Sequence, residues 1–236
     1  MTGSLPGRPL RLLALGDSYT VGEDVDPALS WPEQLAAALG RDGIAMRAPH
    51  IIATTGWTTD ELDAAIDAAG PGHDHDLVSL LIGVNNQYRG RSVEEYDAQF
   101  AALLERAIGF AGGDAGRVFV LSIPDWGVTP FAAASGRDTD AIAADIDAFN
   151  AAAARRCQQR NVVFIDITPV SRARGAEPEM IAADGLHPDM YGIPHGSNFM
   201  EFILTGLSKA SHFSDFLRDI PDAGKIYAFG DSLNDK

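Results

Sequence analysis

The chain is 236 residues long, 46% hydrophobic, and carries 33 acidic against 18 basic residues, for a formal net charge of −15. That length and apolar content suffice for a full core in one large domain, or a domain with an appendage. The charge repels polyanions, which argues against nucleic acid or an anionic membrane surface as partner and favours neutral or cationic small molecules. The single cysteine, Cys157, rules out an internal disulfide and falls in a helical apolar pattern, the place of a buried filler.

In chain order, the first apolar run is Leu10–Leu15. It is too short to span a membrane, and no small-residue cleavage site follows a charged head and long apolar core, so a soluble, cytoplasmic protein is expected. It is also the first of five strand candidates, the others being Ile44–Ala53, Asp76–Ile82, Arg117–Ile123 and Asn161–Ile167. Between them, Val93, Tyr96, Phe100, Leu103, Leu104 and Ala107 recur at helical spacing, as do Ile142, Ile146, Phe149, Ala153 and Cys157. Ser30 with Glu33, Thr58 with Glu61 and Ser92 with Glu95 have the spacing of a capping box, which satisfies the free amides of a first turn. Apolar strands alternating with helices predict a parallel sheet covered on both faces, a three-layer α/β/α sandwich with right-handed crossovers. Pro124 to Arg137 reads as a long irregular stretch, either a binding loop or a surface excursion.

In an open parallel sheet, ligands bind beyond the carboxyl ends of the strands, where loops converge and helix N-termini present their amides. After the first strand comes Gly16-Asp17-Ser18-Tyr19, after the second Thr54-Thr55-Gly56-Trp57, after the third Gly83-Val84-Asn85-Asn86, and in a loop after the fifth Asp184-Gly185-Leu186-His187-Pro188. Serine becomes a nucleophile when a base takes its proton, histidine is such a base, and a carboxylate holds its tautomer; Ser18, His187 and Asp184 supply the three parts. The Ser18 amide, the Gly56 amide and the Asn85 side chain are candidate donors to a developing oxyanion. Each alone has an ordinary structural reading, since Gly-Asp-Ser is turn chemistry and an Asn after a strand caps helices. Four such groups on one rim do not.

These blocks resemble the SGNH/GDSL hydrolase family: a Gly-Asp-Ser turn, an oxyanion glycine, Gly-x-Asn and Asp-x-x-His, in that order over residues 1–191. The resemblance implies a flavodoxin-like fold and a serine hydrolase of the esterase, lipase or deacetylase type working without metal or cofactor on a small-molecule ester. It gives Ser18 as nucleophile and oxyanion donor, Gly56 and Asn85 as further donors, His187 as base and Asp184 as its orienting partner. Asn86 stands where many members have Asp, and Tyr19 where many have Leu, positions that bear on pocket shape. An ordinary α/β-hydrolase elbow is disfavoured, because Thr20 stands where G-x-S-x-G requires glycine. A rival reading is a non-catalytic binding module that keeps the same pocket.

His73-Asp74-His75-Asp76 has metal-ligand chemistry but follows a Gly-Pro-Gly turn, so a solvated loop is expected. Trp57, Trp126, Phe131, Tyr88 and Arg89 are candidate pocket residues. Beyond residue 191 the resemblance stops, and residues 192–236 form an atypical tail. It has Lys209 and ends in Gly230-Asp231-Ser232-Leu233-Asn234-Asp235, and it resembles the closing segment of a haloacid dehalogenase-type phosphatase, which would make Asp231 and Asp235 magnesium-binding acids. The nucleophile segment of that family is absent from residues 1–191, so a tail-based phosphatase is the weaker alternative.

Overall fold

A computed structural model describes residues 8–41, 43–177 and 180–187. The tail, with Lys209, Asp231, Ser232 and Asp235, lies outside the described residues. Five strands, β1 (Leu12–Gly16), β2 (His50–Ala53), β3 (Leu77–Leu81), β4 (Val118–Leu121) and β5 (Val163–Ile165), form one sheet in the order β2-β1-β3-β4-β5. Every pairing is parallel. The helices are α1 (Ser18–Val21), α2 (Trp31–Arg41), α3 (Thr59–Ala69), α4 (Val84–Tyr88), α5 (Val93–Phe110), α6 (Pro130–Ser135), α7 (Thr139–Arg160) and α8 (Thr168–Arg174).

Right-handed crossovers put α2 on one face of the sheet and α3, α5 and α7 on the other, where they pack on one another. The core follows the apolar periodicity of the sequence: every residue of β1, β3 and β4 is buried, as are Tyr96, Phe100, Leu103 and Leu104 of α5 and Ile142, Ile146 and Phe149 of α7. Tyr96 packs its ring 4.7 Å from that of Phe149, while Trp31 of α2 meets Phe119 of β4 edge-on. Cys157 is fully buried, and burial pushes its thiol up to about 12, which leaves it an inert filler. No helix among the described residues is long and apolar enough to cross a membrane.

Some local expectations are corrected. The second strand is His50–Ala53 rather than Ile44–Ala53. Met46 bridges Leu10 and His50 pairs with Leu13, so four residues advance against three, and Pro49 between them has no amide to give a ladder. The Thr58–Glu61 capping box forms and Ser92 accepts from the Glu95 amide, but the Ser30 side chain does not cap α2: its amide closes a tight turn over Pro27–Leu29 by donating to the Pro27 carbonyl, and its buried hydroxyl has no partner among the described residues. Pro124 to Arg137 is ordered by a turn at Trp126–Val128 capped by Asp125 and by α6 capped by Thr129. His75 and Asp76 are buried instead of solvated; Asp76 accepts from Arg8 and from the Arg11 amide.

The order β2-β1-β3 means the chain leaves β1 and β3 toward opposite faces, opening a crevice at their carboxyl ends.

Candidate active site

Beyond β1, the Asp17 carboxylate accepts from the Tyr19 amide at 3.1 Å and so starts α1, with buried Ser18 as its first residue. Burial pushes the Asp17 carboxyl up to about 7, against the Tyr19 amide and its own, which act the other way. Beyond β2, Gly56 adopts φ +85°, a conformation only glycine holds without strain. Space is not the reason, since a side chain there would meet nothing nearer than the Arg89 guanidinium at 3.7 Å.

Beyond β3, Gly83 caps α4 at φ +131°, and a Cβ at this position would lie 2.5 Å from the Tyr96 ring. Glycine is therefore required for both conformation and space. The helix it starts grips the preceding block: Asn85 Nδ2 donates to the Trp57 carbonyl at 2.9 Å, and an Arg89 Nη donates to the Gly56 carbonyl at 2.6 Å. Asn86, fully buried, accepts from the Thr59 amide and donates to the Thr59 hydroxyl, joining the start of α3 to α4.

In the final loop, Asp184 accepts from the Leu186 amide at 2.8 Å and the His187 amide at 3.0 Å with one oxygen, and from His187 Nδ1 with the other. Burial raises the Asp184 carboxyl, but these hydrogen bonds and the imidazole outweigh it and hold it below the usual carboxylate range. The Phe131 amide donates to the Gly185 carbonyl at 3.0 Å, tying α6 to this loop, and the Tyr19 ring sits 5.5 Å from the imidazole.

Ser18, Gly56, Asn85 and His187 all line one cavity of about 240 Å³, with Asp184 behind the imidazole. Its other walls are Tyr19, Thr55, Val84, Tyr88, Trp126, Phe131 and Leu186. Tyr88, Trp126 and Phe131 thus line the cavity as the sequence suggested, whereas Trp57 and Arg89 do not. Thr55, Val84 and Leu186 were not singled out, although each lies inside one of the four blocks. A smaller cavity of about 30 Å³ lies behind and shares the walls Tyr19, Trp126 and Leu186. Among the described residues, no group of three or more His, Cys, Asp or Glu side chains could hold a metal ion.

Comparison with solved structures places the fold. An acetylxylan esterase from Geobacillus stearothermophilus is 19% identical, with 91% of this chain and 95% of that one covered at a TM-score of 0.60. A lipase/acylhydrolase from Enterococcus faecalis is 20% identical over 92% and 96%, with a TM-score of 0.58. AlinE4, described as an SGNH-hydrolase family esterase, is 19% identical over 92% and 99%, with a TM-score of 0.60. None of the curated proteins matches this chain. The family model for the GDSL-like Lipase/Acylhydrolase family matches residues 14–192, a span that holds all four blocks, and the chain belongs to that family.

Proposed function

We propose that this hydrolase cleaves carboxylic esters through an acyl-Ser18 intermediate. The observation that carries the reading is the convergence of Ser18, Gly56, Asn85 and His187 on one mostly apolar cavity, with Asp184 bonded to His187 Nδ1. That bond leaves Nε2 as the basic nitrogen. His187 takes the Ser18 proton as Oγ attacks the ester carbonyl carbon, and the imidazolium that forms is stabilised by the ionised Asp184. The oxyanion is met by the Ser18 and Gly56 amides and by Asn85, whose amide has a second N–H besides the one given to Trp57. Collapse breaks the carbon–oxygen bond to the alcohol, which leaves with the proton from His187. Water, deprotonated by the same imidazole, then releases the acid and restores Ser18.

Relatives of this fold described as esterases and as a lipase/acylhydrolase support ester chemistry. The test is mass spectrometry after fluorophosphonate treatment, followed by an ester panel. Wild type is expected to gain one adduct on Ser18, while Ser18→Ala gains none and loses activity by about 10³-fold or more with its fold intact. An unlabelled wild type, or full activity in Ser18→Ala, refutes the mechanism.

A further inference from the structure

Arg137 stands between α6 and α7, at the edge of the cavity. Its guanidinium carbon lies 4.1 Å from the centre of the Tyr88 ring and 5.7 Å from that of Trp126, and both rings are cavity walls. One Nη donates to the Tyr88 carbonyl at 3.2 Å, and the Arg137 amide donates to Ser135 Oγ at 3.2 Å. The side chain is thus held in place by stacking and by a hydrogen bond.

Its charge is not answered. Among the described residues no carboxylate pairs with Arg137, whereas Arg89 pairs with Glu61, Arg91 with Asp60 and Arg172 with Asp125. The adjacent acid, Asp138, spends its carboxylate on the Asp140 and Ala141 amides at the start of α7. Arg41 and Arg47 also have no carboxylate partner among the described residues, but Arg137 alone of the three is stacked on walls of the cavity. Stacking leaves the edge of a guanidinium open, and with one Nη given to the Tyr88 carbonyl, Nε and the other Nη remain as a fork that fits a carboxylate in a bidentate pair.

We propose that Arg137 is a specificity-determining residue that selects esters bearing a second, ionised carboxyl group. This rests on the ester-hydrolase reading of the cavity. The scissile ester sits at Ser18, the body of the substrate lies against Trp126 and Tyr88, and the remote carboxylate meets Arg137. The net charge of −15 opposes anions at long range, so the preference arises from short-range contact.

The experiment compares kcat/KM for charged and neutral partners of the same skeleton. The pairs are 4-acetoxybenzoate with its methyl ester, for a charge on the alcohol side, and monoethyl adipate with diethyl adipate, for a charge on the acyl side. For at least one pair the charged-to-neutral ratio is expected to fall about fivefold in Arg137→Gln, with an intermediate value in Arg137→Lys, which keeps the charge and loses the fork. A measurement on the wild type alone accompanies it: benzoate should inhibit hydrolysis of the neutral ester more tightly than benzamide does. Ratios unmoved by Arg137→Gln for both pairs, or benzamide binding the tighter, overturn the role of Arg137 while leaving the hydrolase reading intact. No turnover of any of the four esters by a wild type that still takes the fluorophosphonate label on Ser18 overturns the substrate class alone, whereas no turnover together with no label overturns the hydrolase reading as well.

Discussion

Replacing Asp17 with Asn is expected to change how stability depends on pH. The Asp17 side chain is about 1% exposed; one oxygen accepts from the Tyr19 amide, and the other has no partner among the described residues. Burial lifts its carboxyl from an ordinary 3.8 to about 7. Below 3.8 the acid is neutral both folded and unfolded, and its effect is flat. Between that value and about 7 the folded protein holds a proton that the unfolded chain has released, so stability falls as pH rises. Above 7 the loss is complete, and moving a carboxyl over that range corresponds to about 4 kcal/mol, an upper value that relaxation reduces. Asn keeps the acceptor for Tyr19 and carries no charge, and its Nδ2 is unpartnered just as the acid hydroxyl is. The two proteins should therefore be nearly equal in stability near pH 4, with the variant ahead by up to about 4 kcal/mol above pH 7. Urea unfolding followed by tryptophan fluorescence at a series of pH values measures the gap. A gap that stays constant from acid to alkaline pH would refute the argument that Asp17 is held as a buried, uncompensated charge.

Asp184→Asn should lower kcat by about 10³–10⁴-fold by favouring the wrong histidine tautomer, as read from steady-state kinetics on any accepted ester. Because Asp184 is held below its ordinary 3.8, the stability it contributes is complete above that value and is lost only as pH falls through the lower folded value; an acid titration of wild type against Asp184→Asn measures this. Gly83→Ala combines φ +131° with contacts of 2.5 Å to Tyr96 and 2.9 Å to Ile123, and should cost about 2–6 kcal/mol in urea unfolding. Tyr19→Leu thins the partition between the two cavities, and a series of 4-nitrophenyl esters should show kcat/KM moving toward longer acyl chains.

The strands at the centre of the sheet were legible because full burial on both faces demands near-continuous apolar runs, as in Leu12–Gly16 and in Leu77–Leu81, where Ser79 is the one polar residue. The four blocks were legible because the geometry of a parallel sheet brings strand ends to one rim, and the structure seats Ser18, Gly56, Asn85 and His187 around a common cavity there. Less accessible were features decided by residues far apart in sequence. Nothing local to Arg89 says that its guanidinium will hold the Gly56 carbonyl, and nothing local to Ser30 says that its hydroxyl will be buried rather than capping α2. Other details were present in the sequence and passed over. Thr129 followed by Pro130 is an N-cap with proline at the first helical position, which signals α6 inside the stretch read as irregular.

Asp184 and His187 are three residues apart, and among the described residues most of what orients them lies within that short segment: two amides and an imidazole on a single carboxylate. Outward, the Phe131 amide reaches the Gly185 carbonyl, while the sheet depends on other contacts altogether. The pair proposed as base and orienting carboxylate is thus a local unit, expected to open at lower cost than melting the core. On heating, hydrolysis should vanish at a temperature where far-ultraviolet circular dichroism still reports an intact sheet, and cooling should restore it, because the serine half of the machinery never left its place at the end of β1.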